Sequence, residues 1–207
     1  MLYLASQSPR RRQLLHQLGR PFRVVRSRHR ETIRRGASPS ANAMRNATGK
    51  AMHARLPSRA HGIVIGADTF LYVRGRVIGK PRSLRQAAAI LQALSGSSHW
   101  VYTGLCLRAV PACPGSSNRR AGAWRCRTGY AKTKVTFKRL TPETIARVLA
   151  HTPPLDKAGG YAIQRDGGTL IARIEGSRSN VIGLPLELLR RELAVIDTRQ
   201  QTRIDDC

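Results

Sequence analysis

One short apolar run constrains the fold of this sequence more than any other feature. Residues 63–67 read Ile-Val-Ile-Gly-Ala, and Asp68 and Thr69 follow at once. A brief apolar segment bounded by polar residues is typical of a strand in a core, so we expect a buried strand that ends at Asp68 and Thr69. A carboxylate at the end of such a strand is a common position for a functional group in α/β sheets.

Helix signals lie on both sides of this strand. Residues 83–94 have an amphipathic pattern with Ser83 as the N-cap, and the apolar face consists of Leu84, Ala87, Ala88, Leu91 and Leu94. Ser8, Pro9 and Gly19 bound an earlier helix, because they fit the N-cap, the first helical position and the stop. Strand and helix signals mix throughout without a fixed-period repeat, which favours an α/β or α+β class.

The 207 residues bound the chain to one domain or two small ones, and we expect one, at 1–197, followed by a frayed tail at 198–207. Residues 111–129 are rich in Pro, Gly, Ser and Arg, so they are predicted to be a basic loop inserted in a hairpin. We expect a compact glycine-rich segment at 155–164. Further strands are predicted at 2–4, 22–25, 101–108, 131–137 and 170–174, a strand pair turning near 74–76, and helices at 40–54, from 141 and after 184.

The charge of the chain is strongly positive. Lys and Arg number 37 against 11 Asp and Glu, for a net charge of +26. Such a chain attracts anions over long range, and nucleic acid is the first partner to consider. However, the arginines are spread diffusely and aromatic residues make up only 5%, with no base-stacking interleave, which argues against specific recognition and leaves non-specific binding open.

Other features limit the compartment. No apolar run approaches the length of about 18 residues that a membrane span needs, and the start lacks the apolar stretch of a secretory signal. The four cysteines form no Cys-x-x-Cys pair, which disfavours a zinc ribbon or a redox dithiol. These observations favour a reducing cytoplasm without membrane attachment.

Acidic residues are scarce where chemistry is expected. Before Glu143 the only carboxylates are Glu31 and Asp68, so acid–base or metal chemistry in that part must use them. Asp68 could hold Mg²⁺ or activate water, and the alternative is a carboxylate that caps a turn. No His-x-x-x-His pair occurs, and His99 is expected to be a structural residue of the sheet.

Several cations could bind phosphate. Ser8, Arg10 and Arg11 lie at the start of the first helix, where free N–H groups, a hydroxyl and guanidinium groups suit an anion. The alternative is a capped helix whose arginines reach into water. Lys50 and Lys80 could each contact a phosphate or simply be surface lysines. In the glycine-rich segment 155–164, Gln164 could contact a base edge, or the segment could be a tight structural turn.

Taken in order, these motifs resemble the Maf family, the septum-formation-inhibitor-like nucleotide pyrophosphatases, over about residues 2–195. The matching stretches are 4–11 (LASQSPRR), 66–69 (GADT), 79–81 (GKP), 94–96 (LSG) with His99, 103–104 (TG), 156–159 (DKAG) and 180–186. The resemblance implies a mixed twisted sheet flanked by helices, with two lobes around a central cleft, as in the inosine triphosphatase type of fold. It implies hydrolysis of a nucleoside triphosphate to the monophosphate and pyrophosphate, and leaves open a homodimer.

The resemblance also implies roles for individual residues. The pattern of 156–164, Asp-Lys-Ala-Gly-x-Tyr-x-Ile-Gln, is similar to the branch acting on dTTP and UTP rather than on 7-methyl-GTP. Asp68 would be the proton acceptor, and Arg10, Thr69 and Gln164 would set substrate choice. Glu31, Lys50 and Lys80 would line the metal and phosphate region, with Mg²⁺ or Mn²⁺ held by Glu31 and Asp68.

One departure supports a second hypothesis. Arg30 precedes Glu31, where members of the family usually have an acidic residue, and the added positive charge would weaken metal binding. The alternative is therefore a catalytically weakened protein of the same fold that binds anions or nucleic acid.

Overall fold

The computed structural model describes residues 1–111 and 126–205, with side chains as far as Thr198. The strands of this part are β1 (Leu2–Leu4), β2 (Phe22–Val24), β3 (Gly62–Val73), β4 (Arg76–Ile78), β5 (Ser98–Val110), β6 (Cys126–Phe137) and β7 (Ile171–Glu175). The helices are α1 (Pro9–His16), α2 (Pro39–Met52), α3 (Leu84–Leu94), α4 (Pro142–His151), α5 (Ile163–Leu170), α6 (Arg178–Ile182) and α7 (Leu186–Asp205), with a 3-10 turn at Ala158–Gly160. No helix of these ranges is long and apolar enough to cross a membrane.

All seven strands form one mixed sheet flanked by helices, which confirms the predicted α/β class. The order is β2-β1-β3-β5-β6-β7, and β4 pairs with the far end of β3. Pairing is parallel from β2 through β1 to β3 and antiparallel from β3 onwards. The long strands β3 and β5 lie at the centre of the sheet, and their register places Asp68 opposite Gly104 and Thr69 opposite Thr103.

Three apolar clusters hold the helices on the sheet. One packs α1 and α7 against β1 and the first half of β3, and its members include Leu14, Leu15, Ile65 and Leu189. Another packs α3 and α4 against the second half of β3, β5 and β6. The third lies on the opposite face under α2. The first two clusters meet along β3 at the level of Asp68 and Thr69. A cleft lies at this level, and both residues line it.

The central prediction about β3 is partly wrong. The strand does not end at Asp68 and Thr69 but continues to Val73, and the turn that follows at Arg74 and Gly75 is where the sequence predicts it. The strand continues because β5 pairs with it from Gly62 to Tyr72. Since partners from α2 satisfy the Asp68 carboxylate, the polar residue does not interrupt the strand. The alternative in which Asp68 caps a turn is thereby excluded.

Other boundaries also differ from the prediction. β6 begins at Cys126, because the ladder with β5 reaches Arg108, so residues 126–129 belong to the sheet and most of the predicted insertion, 112–125, lies outside the described residues. The last helix continues to Asp205, past the predicted start of the tail.

The sequence missed α5 because Gly167 and Gly168 lower the helix propensity of that segment. The carboxylate of Asp166 compensates by accepting the Ala162 N–H at 2.7 Å.

Candidate active site

A cleft of about 410 Å³ opens where α1, α2 and β3 face the glycine-rich segment. Eight of the nine predicted site residues line it: Ser8, Arg10, Arg11, Glu31, Lys50, Asp68, Thr69 and Lys80. Gln164 is the exception, since its side chain is exposed in the first turn of α5. The neighbouring Ile163 does line the cleft. The sequence motifs therefore converge in space although they are far apart in the chain.

Close packing of α2 on the sheet places its side chains beside Asp68. A Cβ atom at Gly66 would lie 2.1 Å from the carbonyl oxygen of Ala47, and one at Gly104 would lie 2.2 Å from that of Ala43. Only glycine leaves room for the helix backbone at these two positions. Residues of α2 therefore reach the centre of β3 at hydrogen-bonding distance.

Asp68 is a buried carboxylate, 5% exposed, held by two donors from α2. The Lys50 ammonium donates to Oδ1 at 2.7 Å, and the Asn46 amide donates to Oδ2 at 2.8 Å. The amide of Asn46 is itself oriented, because its oxygen accepts the Thr32 N–H at 3.1 Å. The carboxylate is thus fixed in one orientation before any substrate binds.

Glu31 lies on the other side of the same ammonium. Its Oε1 is 2.6 Å from Lys50 Nζ and 3.9 Å from Lys80 Nζ. Burial raises the pKa of the Glu31 carboxyl, but the charges of Lys50, Lys80 and Arg11 outweigh it and hold that pKa below its usual value of 4.5. Glu31 is therefore ionised at neutral pH.

Arg11 is fixed by hydrogen bonds in the wall of the cleft. Its guanidinium donates to the Gly183 carbonyl at 2.7 Å, to Thr69 Oγ1 at 3.1 Å and to Ser6 Oγ at 3.2 Å. Burial lowers the pKa of this guanidinium, and the charges of Asp68 and Glu31 oppose that effect. Since an arginine side chain has five N–H donors, two remain for an anion in the cleft.

The neighbouring Arg10 is bound to the opposite wall. Its Nη1 donates to Asp156 Oδ2 at 2.9 Å, and Asp156 also pairs with Lys157. Burial raises the pKa of the Asp156 carboxyl, but the hydrogen bonds and charges of Lys157 and Arg10 together outweigh that effect and hold the pKa below the usual 3.8. This ion pair therefore joins α1 to the glycine-rich segment at the edge of the cleft.

Ser8 and Thr69 also line the cleft. Ser8 caps α1 through a hydrogen bond from the Arg11 N–H to its Oγ, as predicted. Thr69 Oγ1 pairs with Thr103 Oγ1 at 2.9 Å in addition to accepting from Arg11. The hydroxyl of Thr69 is thus oriented from within the sheet.

Sequence reasoning missed Asn46 and Asp156. Asn46 precedes Lys50 by four residues, so the two share one face of α2, and that spacing is a signal that could have identified it. Asp156 belongs to the 156–164 motif, but its contact with Arg10 could not be predicted, because nothing in the sequence indicates that the two residues lie side by side.

His99 was expected to be structural, which is confirmed. It is buried in β5, and its Nε2 is 2.9 Å from the Tyr161 hydroxyl. Burial lowers the pKa of His99 to about 4, so the ring is neutral at physiological pH. Because Tyr161 lines the cleft, this bond anchors the glycine-rich segment to the sheet.

Comparison with known proteins agrees with the geometry. The Maf family profile, described as Maf-like protein, matches residues 1–196. The chain is 43% identical over 194 residues to the dTTP/UTP pyrophosphatase of Moorella thermoacetica, which covers 94% of each chain. It is 41% identical over 192 residues to that of Bacillus cereus, covering 93% of this chain and 88% of the relative.

A third relative and one solved structure extend the comparison. The dTTP/UTP pyrophosphatase of Desulfitobacterium hafniense is 40% identical over 200 residues, covering 94% of this chain and 85% of that one. A nucleoside-triphosphatase / dITP/XTP pyrophosphatase from Mycobacterium abscessus is only weakly similar in structure, with a TM-score of 0.37 and 16% identity over 67% of this chain and 75% of that chain. The family match and the curated relatives together show that the chain belongs to the Maf family.

Proposed function

We propose that this protein hydrolyses dTTP and UTP to the monophosphate and pyrophosphate. The observation that carries the proposal is the carboxylate of Asp68, which Asn46 and Lys50 hold at the inner end of a cation-lined cleft. The names of the relatives support the same substrates, since three of them at 40–43% identity are dTTP/UTP pyrophosphatases.

Asp68 is the proton acceptor in this proposal. Water attacks the α-phosphorus, its proton passes to the carboxylate, and pyrophosphate leaves with the bonding electron pair of the bridging oxygen. A carboxylate whose two oxygens already accept hydrogen bonds is oriented for this step. Lys50 lies beside it and can stabilise the charge that develops on the phosphoryl oxygens.

The other cations bind the phosphates. Arg11 is fixed and offers its remaining donors to the cleft, whereas Lys80 is half-exposed at the rim beside Glu31. Arg10 can leave Asp156 for a phosphate at small cost, because an ion pair this exposed contributes only about 0–1 kcal/mol. Ser8 adds a hydroxyl at the start of α1.

A divalent metal ion, Mg²⁺ or Mn²⁺, fits the donor set of Asp68 and Glu31. The two carboxylates reach the same Lys50 nitrogen, so their oxygens face one small volume. Within the described residues, no group of three or more His, Cys, Asp and Glu side chains could hold a metal ion. Mg²⁺ typically binds through one or two carboxylates plus substrate phosphates. When bound, the ion supplies positive charge to the phosphoryl oxygens.

Base choice is assigned to Arg10, Thr69 and Gln164 by likeness to the family. Thr69 and Arg10 line the cleft, which supports a role for these two residues in base choice. Gln164 follows the cleft-lining Ile163 and must turn inward to contact a base. We expect Gln164→Ala to change the ratio of kcat/KM for UTP and dTTP against other triphosphates, with little change in kcat for UTP.

The test is pyrophosphate release from a panel of ribo- and deoxynucleoside triphosphates and 7-methyl-GTP, with Mg²⁺ or Mn²⁺. We expect release from dTTP and UTP, reduced about 10²–10³-fold or more by Asp68→Asn. Asp197→Asn is the matched control, because it makes the same change at a surface pair with Arg20 outside the cleft. No release from any triphosphate by a folded protein would favour the alternative, a weakened protein that binds anions only.

Two expectations concern the cellular setting. A cytoplasmic location is supported by the free thiols of Cys106 and Cys126, because thiols persist in a reducing compartment. A homodimer is a prediction that light scattering of the purified protein can measure.

A further inference from the structure

Aromatic and basic side chains that are far apart in the sequence meet on one face of the sheet. The register pairs Tyr72 with Trp100, Tyr102 with Lys132, and Trp100 with Lys134. Because side chains alternate along a strand, these residues and Tyr130 share the face that α2 covers only in part. We call this surface the aromatic–lysine face: Tyr72, Trp100, Tyr102, Tyr130, Lys132 and Lys134.

The rings of this face contact one another and reach solvent. The Tyr102 and Tyr130 ring centroids are 6.3 Å apart with planes inclined by 26°, and Tyr72 meets Tyr102 edge-on at 6.1 Å. Trp100 is 36% exposed and Tyr130 is 44% exposed. Cross-strand aromatic pairs stabilise a sheet, which accounts for the half-buried Tyr102. It does not account for the two exposed rings, whose apolar area faces water.

The charge around these rings is positive. The Lys132 ammonium lies 5.1 Å from the centre of the Trp100 ring. Two further cations, Lys134 and Arg173, share one carboxylate. Glu175 Oε1 is 3.4 Å from Lys134 Nζ and 3.8 Å from Arg173 Nε. A second copy of the chain docked symmetrically here would place these cations against each other. A polyanion complements them, and the net charge of +26 attracts one over long range.

The aromatic–lysine face is separate from the cleft. Its six side chains are absent from the residues that line the cleft. A ligand on this face therefore need not compete with a nucleotide at Asp68. Exposed rings beside mobile cations are the combination by which proteins bind single strands, with bases stacked on the rings and phosphates held by the cations.

We propose that the aromatic–lysine face binds single-stranded nucleic acid. Bases stack on Trp100 and Tyr130, and Lys132, Lys134 and Arg173 contact the phosphates. Lys132 leaves the Trp100 ring for a phosphate, so the ring face becomes available to a base. The duplex form binds more weakly at the same salt concentration, since its bases are already stacked.

The experiment is fluorescence anisotropy with labelled oligo(dT) and oligo(U) of about 12 nucleotides, beside a duplex of equal length. These oligonucleotides carry no 5′-triphosphate, so the proposed hydrolysis does not consume them. We expect Trp100→Ala and Tyr130→Ala each to weaken single-strand binding by about tenfold. Arg85→Gln on α3 is the control, because it removes an exposed cation from another face without a ring nearby. Saturating dTTP should not displace the strand.

A second measurement does not depend on removing a ring. Trp124→Phe leaves Trp100 as the only tryptophan of the chain. Its fluorescence should fall when oligo(dT) binds, because a base stacks on the indole. All variants should keep the pyrophosphate-release activity of the parent, which separates this proposal from that of the cleft.

Three results would overturn the proposal. Equal binding by the parent, Trp100→Ala and Tyr130→Ala, or an equal loss in Arg85→Gln, would show that diffuse charge alone attracts the strand. Displacement by dTTP would place the strand in the cleft. A halved molar mass of the ring variants in light scattering, with no change in strand binding, would show an interface between copies.

Discussion

The two walls of the cleft are held by different kinds of interaction. On the β3 wall, formed by Arg11, Lys50, Asp68 and Thr69, the charged groups are buried and each has several partners inside the protein. On the glycine-rich wall, which is the segment 155–164, Asp156 is 57% exposed at its side chain and faces Arg10 across the cleft. The first wall is therefore held rigidly. The second is joined to α1 by an ion pair that substrate phosphates would replace in the proposed reaction.

Arg10 and Arg11 show what this difference teaches. They are adjacent in α1, yet one is fixed in the β3 wall and the other is paired with the opposite wall. A buried charge without a partner is expensive, so the β3 wall must be complete before substrate arrives. An exposed pair contributes little, so the glycine-rich wall can change partners. The following experiments break or sharpen this comparison, from the largest expected effect to the smallest.

Lys50→Met should have the largest effect on stability. It leaves the Asp68 carboxylate buried with only Asn46 as donor, and breaking a buried pair costs about 3–5 kcal/mol. Urea denaturation at neutral pH measures the loss. The double variant Lys50→Met with Asp68→Asn should recover part of it, because no buried charge is then left alone. A single variant as stable as the parent would contradict a β3 wall that depends on its pairing.

The hydrogen bond between His99 and Tyr161, which anchors the glycine-rich wall, should make the free energy of unfolding depend on pH. The folded protein keeps His99 neutral down to a pKa of about 4, while the unfolded chain binds a proton near 6.5. Protonation of the unfolded chain therefore lowers the free energy of unfolding as pH falls from 6.5. The loss from His99 is about 3 kcal/mol by pH 4, and His99 has no such effect above pH 6.5.

Urea denaturation across this pH range tests the anchor. His99→Gln should flatten the profile between pH 6.5 and 4. The exposed His151 is the control, and His151→Gln should leave the profile as steep as in the parent.

Asn46→Ala should reduce activity more than stability. It removes one donor from Asp68 and leaves Lys50, so the carboxylate stays paired but loses its orientation. A hydrogen bond to a charged group contributes about 1.5–3 kcal/mol, which predicts a kcat lower by about tenfold or more with KM little changed. Asn42→Ala is the matched control, one turn earlier in α2, since Asn42 bonds the backbone of Arg34 instead. Equal kcat values for the two variants would contradict a positioning role.

Asp156→Asn should have the smallest effect. The free energy of unfolding should change by less than about 1 kcal/mol at pH 7, because the Asp156 side chain is half-exposed and the amide oxygen of an asparagine still accepts the hydrogen bond of the buried Lys157. The pKa of Asp156 is lowered in the folded state, so this small contribution is present above pH 3.8 and is lost as pH falls below it. KM for UTP should fall by about two- to threefold, since Arg10 no longer has to leave a carboxylate. A large loss of stability would mean that the two walls are equally rigid.

The sequence allowed much of the fold to be predicted where signals are local. The caps Ser8 and Ser83 lie where expected, because capping depends on a few neighbouring residues. The buried strand at 63–67 was predicted correctly, but its end was wrongly placed at Asp68 and Thr69, which lie inside β3. The strand continues because partners inside the fold satisfy the Asp68 carboxylate. The α2 helix provides these partners, and no local pattern shows it.

Long-range register explains what could not be predicted. Tyr72, Trp100, Tyr102 and Tyr130 are separated by up to 58 positions from first to last, and only the pairing of β3, β5 and β6 aligns them. Composition alone argued against aromatic clustering, since aromatics make up 5% of the chain. The link between Arg10 and Asp156 likewise depends on how the first helix faces a turn 146 residues later.

The contact between α2 and the sheet at Gly66 and Gly104 has a consequence for reading related sequences. These two glycines let α2 lie close enough to the sheet for the Lys50 and Asn46 side chains to reach the Asp68 carboxylate. A relative that keeps Asp at position 68 but carries alanine at either glycine position has gained one methyl group of separation. Such a chain can keep Asp68, Asn46 and Lys50 and still lack the hydrogen bonds that hold the carboxylate proposed here as the proton acceptor.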